Sequence, residues 1–157
     1  MRFPRSTWIP LLVIFCVAGC GGDDDGGVME PDPITVADFV GSWTAASVVF
    51  TSNADAGQQV DIVALGGEVR STVLSGGGTR TWIETTGTSD EWDSQMTVSG
   101  STVTMVPAEA GRPTRMYTYS FAGPDNLTLT DTGSEFDFTL GGAAPVPATE
   151  VIRFVRN

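Results

Sequence analysis

From residue 40 onward, apolar and polar positions alternate with a period of two, and the pattern is clearest in the second half of the chain. Val103 and Met105 share one parity, with Thr102 and Thr104 on the other. Tyr117, Tyr119 and Phe121 alternate with Thr118 and Ser120, and Leu127 and Leu129 with Thr128 and Thr130. Phe136, Phe138 and Leu140 alternate with Glu135, Asp137 and Thr139, while Ile152 and Phe154 oppose Val151 and Val155. Side chains that switch sides at every residue mark strands with one face buried and one wetted. Turn-forming groups separate the runs: Gly76-Gly77-Gly78, Ser99-Gly100-Ser101, Gly123-Pro124-Asp125-Asn126, Thr132-Gly133-Ser134 and Gly141-Gly142. The pattern predicts strands over 43–52, 67–75, 79–87, 92–99, 101–107, 114–122, 126–131, 134–140 and 149–156. Val60–Leu65 admits either a short strand or a helical turn, and Thr35–Val40 reads as a short helical turn. The fold class is therefore all-β, with eight or nine short antiparallel strands in a barrel or a sandwich. An up-and-down barrel is favoured because closure leaves no edge exposed.

The first twenty residues obey a different rule. Arg2 and Arg5 precede the apolar run Ile9–Ala18, and small residues lead to Cys20. The run is shorter than the roughly 20 residues that span a bilayer, and its layout is that of a secretory signal. Val17-Ala18-Gly19-Cys20 resembles the lipobox of bacterial lipoproteins. That resemblance implies cleavage before Cys20, lipidation of that cysteine, and attachment to the cell envelope. Gly21 after the cysteine, in place of Asp, implies the outer membrane. Gly21–Pro33 then reads as a flexible linker of glycines, acids and prolines. Asp23, Asp24 and Asp25 are adjacent and do not take the alternate spacing of a calcium loop. The expected organisation is a signal peptide over 1–19, a lipidated cysteine and linker over 20–33, and one β domain over 34–157.

Cleavage changes the composition. Of 8 basic residues, all arginine, Arg2 and Arg5 are lost, so 6 remain against 19 carboxylates and the net charge moves from −11 to −13. Nucleic-acid binding relies on basic contacts to phosphates, and anionic lipid heads need a basic patch. Neither partner fits, so membrane association is left to the lipid anchor. With no histidine, and both cysteines at or before the cleavage point, the mature chain has no disulfide, no Ser-His-Asp triad, no Cys-His pair and no histidine zinc site.

Gly41-Ser42-Trp43, entering the first strand after a helical turn, resembles the Gly-x-Trp signature of the lipocalins and of bacterial lipocalin-like domains. The closing stretch 148–156 resembles the last strand of that family, whose arginine packs over the tryptophan. The segments Asp90–Val98, Thr102–Val106 and Asn126–Thr130 resemble its meander of hairpins. The resemblance covers about residues 36–156, and the Thr-Asp-Tyr type loop of the classical lipocalins has no counterpart. It implies an eight-stranded barrel and a contact between Trp43 and Arg156, with Arg153 as the alternative. Parity favours Arg156, which shares a face with Ile152 and Phe154.

Candidate chemistry is sparse. Glu84, Glu91, Asp93 and Glu109 are available for a carboxylate pair of the glycosidase kind, but Asp90-Glu91-Trp92-Asp93 reads as a hairpin turn with its acids in solvent. The expectation is a protein that is not an enzyme and needs neither cofactor nor metal. Tyr117, Tyr119, Phe121, Phe136 and Phe138 all fall on inward parity. They are the candidate lining of a pocket for a small hydrophobic ligand, or else the filling of a solid core, since eight strands leave room for little more. Trp82 and Trp92 read as packing residues. Two functions follow: a membrane-anchored barrel that binds a small apolar ligand, or a structural or protein-interaction lipoprotein with a solid interior.

Overall fold

A computed structural model describes residues 32–85 and 87–157. Cys20, the signal segment and most of the linker lie outside the described residues. The chain opens with helix α1 (Val36–Phe39), followed by strands β1 (Gly41–Ser52), β2 (Gln59–Asp61), β3 (Glu68–Val73), β4 (Gly78–Thr85), β5 (Thr88–Ser99), β6 (Thr102–Pro107), β7 (Arg115–Phe121), β8 (Asn126–Phe136) and β9 (Val146–Arg156). Every pairing is antiparallel, and β9 pairs back onto β1, so β1 and β3 to β9 form a closed eight-stranded barrel. β2 is the extra strand. It covers the second half of β1 through Val49, Phe50 and Thr51, where β3 no longer reaches.

Inward positions follow the sequence parity. Trp43, Val48, Val73, Met96, Val103, Leu127, Leu129, Ile152 and Phe154 are all buried, while Thr72, Thr97, Thr118 and Arg153 on the alternate positions are exposed. Two bulges interrupt the ladders. One inserts an extra residue on β1 between Ala45 and Ser47, and the other lies on β8 between Asp131 and Ser134. A bulge bends its strand and increases the twist, which long strands need in order to wrap a small barrel.

Here the structure corrects the sequence reading. Thr132-Gly133-Ser134 is a bulge inside one continuous strand and not a turn between two. The extra residue restores parity, so Ser134 and Phe136 still face inward. The strand expected over 134–140 ends at Phe136, and Asp137 to Leu140 form a turn closed by the Leu140 amide donating to Asp137 O at 3.2 Å. Asp90–Asp93 lies within β5, because its ladder with β4 runs out to Thr85 and Thr88. Val60–Leu65 is both of its alternatives in turn: Val60 and Asp61 are strand, and the rest is a hydrogen-bonded turn.

One end of the barrel is shut by α1. Thr35 and Asp38 form a capping box that starts the helix. Phe39, fully buried, plugs the barrel end against the rings of Tyr119 and Phe121, each 5.1 Å away. The opposite end carries the 53–67 excursion and the loops after β4, β6 and β8.

Candidate functional site

Trp43 and Arg156 meet at the closed end. The Trp43 indole NH donates to Phe39 O at 2.7 Å, which fixes the helix onto the barrel. The Arg156 guanidinium lies over the Trp43 ring, its central carbon 4.2 Å from the ring centre. Its nitrogens donate to the carbonyls of Asp38, Val40 and Pro124, so it also caps the orphan carbonyls at the end of α1. Gly41 completes the arrangement. Its φ of +139° lies where L side chains are strained, and a Cβ there would stand 3.0 Å from Arg156 Nη1.

The five candidate lining residues do not form one pocket. Tyr119 and Phe121 belong to the closed end, in the cluster with Phe39 and Trp43. The Tyr119 hydroxyl donates to Gly100 O at 2.7 Å, so the loop carbonyl satisfies it. Phe136 and Phe138 belong to the open end, where Phe136 stacks on Phe50 at 4.2 Å and meets Phe138 edge-on at 5.1 Å. Tyr117 stands apart, buried in the barrel wall.

The open end is the apolar mouth. A cleft of about 330 Å³ there is lined by Ile62, Leu65, Gly67, Thr85, Phe136 and Leu140. Leu65 and Leu140 are 55% and 58% exposed, and Leu140 takes a φ of +54°. A leucine held in the left-handed region is uncommon and carries backbone strain.

Behind the β8 bulge sits a polar cluster that the sequence reading did not single out. Asp131 of β8 pairs with Glu150 of β9 in the ladder, and both are buried inside the wall. Arg115 of β7 reaches them, with Nη1 donating to Asp131 Oδ2 at 2.9 Å and to Ser134 Oγ at 3.1 Å. The other Asp131 oxygen accepts from the Gly133 amide at 2.8 Å. Glu150 Oε2 is 3.9 Å from Arg115 Nη1 and has no hydrogen-bond partner. Burial pushes the Glu150 carboxyl up to about 7, against the pull of Arg115 and with help from the Asp131 charge. Burial likewise raises the Tyr117 phenol, reinforced by the Glu150 carboxylate. The signal was present in parity: Arg115 shares the face of Tyr117, and Glu150 that of Ile152 and Phe154, so polar residues stood at inward positions.

The acids weighed for catalysis are on the outside. Asp93 pairs with Arg80 at 2.9 Å, Glu91 with Arg80 at 3.2 Å, and Glu109 with Arg112 at 2.6 Å; Glu84 is also exposed. Arg70 stacks over Trp82 at 4.9 Å and Arg112 over Trp92 at 4.7 Å, which occupies one face of each indole. Among the described residues, no group of three or more His, Cys, Asp or Glu side chains is placed to hold a metal ion.

No protein-family model, no curated protein and no solved structure matches this chain.

Proposed function

We propose that the chain is a lipid-anchored envelope protein of the lipocalin-like kind, which takes a small apolar molecule at the mouth of its barrel and catalyses no reaction. The mouth cleft carries this reading. Its volume of about 330 Å³ lies at the lower end of ligand pockets, which run from about 300 to 1,000 Å³ and are mostly apolar with few polar groups. A short acyl chain or a single ring system matches that size. The Phe50–Phe136 stack offers a flat aromatic wall, and Leu65 and Leu140 stand exposed beside it. The anchor supports the same reading. Acyl chains on Cys20 and a linker of roughly 13 residues, reaching on the order of 20 Å as a flexible coil, would keep the protein at a membrane, a source of apolar molecules.

The test is titration of the purified protein with a fluorescent apolar probe, followed by displacement with fatty acids of increasing length. Saturable binding displaced by short chains is the expected result. Linear, non-saturable uptake would overturn the proposal.

A further inference from the structure

The outer wall of the barrel carries its charges on one side. On β3, β4 and β5 the outward positions include Glu68, Glu84, Glu91 and Asp93, interleaved with Arg70 and Arg80. The arc from β6 round to β1 differs in kind. Thr102, Thr118, Thr130, Val151 and Val49 form one row across five strands. The next row is Ser120, Thr128, Arg153 and Ser47. At the outward positions of β6, β7, β9 and β1, Arg153 is the one charged side chain, and β8 adds Glu135 only near its end. Strand formation does not demand this, because β3 to β5 accept outward acids freely.

Arg153 is singular in a second way. Arg70, Arg80, Arg112, Arg115 and Arg156 each pair with a carboxylate. Arg153 is exposed, and among the described residues no carboxylate lies within ion-pair distance of it. Its one side-chain hydrogen bond, from Nη1 to Ser47 Oγ, is long at 3.4 Å. On the same arc Val155, Val106 and Met116 are 43%, 47% and 61% exposed.

We propose that this arc is the surface that the domain lays against a membrane, with Arg153 pairing with the phosphate of a lipid head group. Charge complementarity selects the occupant. An anionic leaflet repels the acid-bearing sides of the barrel and favours the side without them. A guanidinium holds a phosphate through paired N–H donors, and the hydroxyls of the surrounding threonines donate to phosphate and ester oxygens. A second copy of the chain fits less well. Its matching arc offers no carboxylate beside the central rows, so a face-to-face dimer would bury two unpaired guanidiniums. One arginine attracts a membrane only weakly, so the arc does not attach the protein by itself. Lipid on Cys20 supplies the attachment and raises the local concentration of head groups, and the arc then sets which side meets them. The inference therefore rests on the lipid-anchored part of the proposed function and not on the apolar ligand.

Site-specific fluorescence tests it. On the anchored reading Cys16 is removed and Cys20 carries lipid, so an introduced cysteine is the single free thiol. The full chain, processed and reconstituted into vesicles of phosphatidylethanolamine with a minority of phosphatidylglycerol, takes an environment-sensitive label at Thr118→Cys on the arc or at Thr72→Cys on β3. Both positions are exposed. A blue shift, and quenching by a spin-labelled lipid, are expected at position 118 and neither at position 72. Arg153→Glu, which puts an acid on the arc, should abolish the response at 118, and high salt should weaken it. Equal responses at the two positions in vesicle-bound protein, or a response at 118 unchanged by Arg153→Glu, would overturn the proposal and leave the anchor standing. A chain that fails to sediment with the vesicles would overturn both. A shift at 118 that appears without vesicles and grows with protein concentration would assign the arc to a second copy instead.

Discussion

Arg156, near the end of the last strand, lies over the indole of Trp43 at the start of the first, with its guanidinium carbon 4.2 Å from the ring centre. The two are direct partners in the β1–β9 ladder, so this contact sits on the seam that closes the barrel. Trp43 is 1% exposed, and truncating a buried aromatic of this size costs about 3–5 kcal/mol. Trp43→Ala is therefore expected to be severely destabilising and Arg156→Ala less so. In the double variant the two costs should fall short of additive by about 0.5–2 kcal/mol, the worth of the cation–π contact. Urea unfolding of the four proteins measures this, and strict additivity would mean that the stacking contributes nothing.

Gly41 is tied to the same seam. Its φ of +139° and the 3.0 Å approach of Arg156 Nη1 predict that Gly41→Ala costs on the order of 1–3 kcal/mol. The steric part should vanish when Arg156 is also replaced by alanine, while the backbone part should remain. A thermal melt of both variants separates the two. An alanine accepted without loss would mean that the backbone relaxes at no cost.

The sequence carried the barrel because period-two alternation and glycine-rich turns are local signals, and the strand pairing follows from short hairpins. Closure was also legible, since Trp43 and Arg156 marked the two strands that must meet. The bulge on β8 was not, because Thr132-Gly133-Ser134 has turn composition whether the chain reverses or merely gains a residue. The aromatic set failed as a single pocket for a related reason. Parity tells which face a residue occupies and says nothing of its height along the barrel, so Tyr119 and Phe138 looked alike and lie at opposite ends. Arg115, Asp131 and Glu150 were hidden by their charge, although their parity placed them inside.

Cys20 carries the expectation of lipid attachment from its lipobox resemblance. Cys20→Ala is expected to block acylation and cleavage, leaving a precursor that keeps the signal segment and a higher apparent mass on gels. Two or more acyl chains are needed for stable anchoring, so the intact protein should also partition into detergent while a chain starting after the linker stays aqueous. Normal processing of the substituted protein would remove the lipid anchor from the proposed function.

Phe136 forms part of the mouth cleft and stacks on Phe50, whereas Thr118 is exposed on the outer face of β7. Phe136→Ala should weaken binding of an apolar probe by roughly tenfold, about the 1.4 kcal/mol that part of an aromatic contact supplies. Thr118→Ala should leave it unchanged. Tyr119→Ala should reduce stability and not probe affinity, because that ring packs on Phe39 at the closed end. Fluorescence titration against circular dichroism melts distinguishes the effects, and equal loss of affinity at all three positions would place the probe on the outer surface.

Glu150 makes stability depend on pH in a definite direction. Its carboxyl has an ordinary value of 4.5 and is held at about 7 in the folded protein, chiefly by burial. Between these values the folded state keeps a proton that the unfolded chain has released, so stability falls as pH rises from about 4.5 to 7 and changes little above that. At about 1.4 kcal/mol per pH unit the loss is on the order of 3 kcal/mol. The many surface acids add their own slope, because a chain with 19 carboxylates repels itself as they ionise. The discriminating measurement is therefore a difference. Glu150→Gln cannot ionise, so its stability should equal or slightly trail that of the parent near pH 4.5 and exceed it near pH 8. Arg115→Gln should act in the opposite sense, steepening the loss because the one nearby cation that favours ionised Glu150 is gone. If the unfolding free energies of the parent and Glu150→Gln stay parallel from pH 4.5 to 8, the carboxyl is not held protonated by the fold.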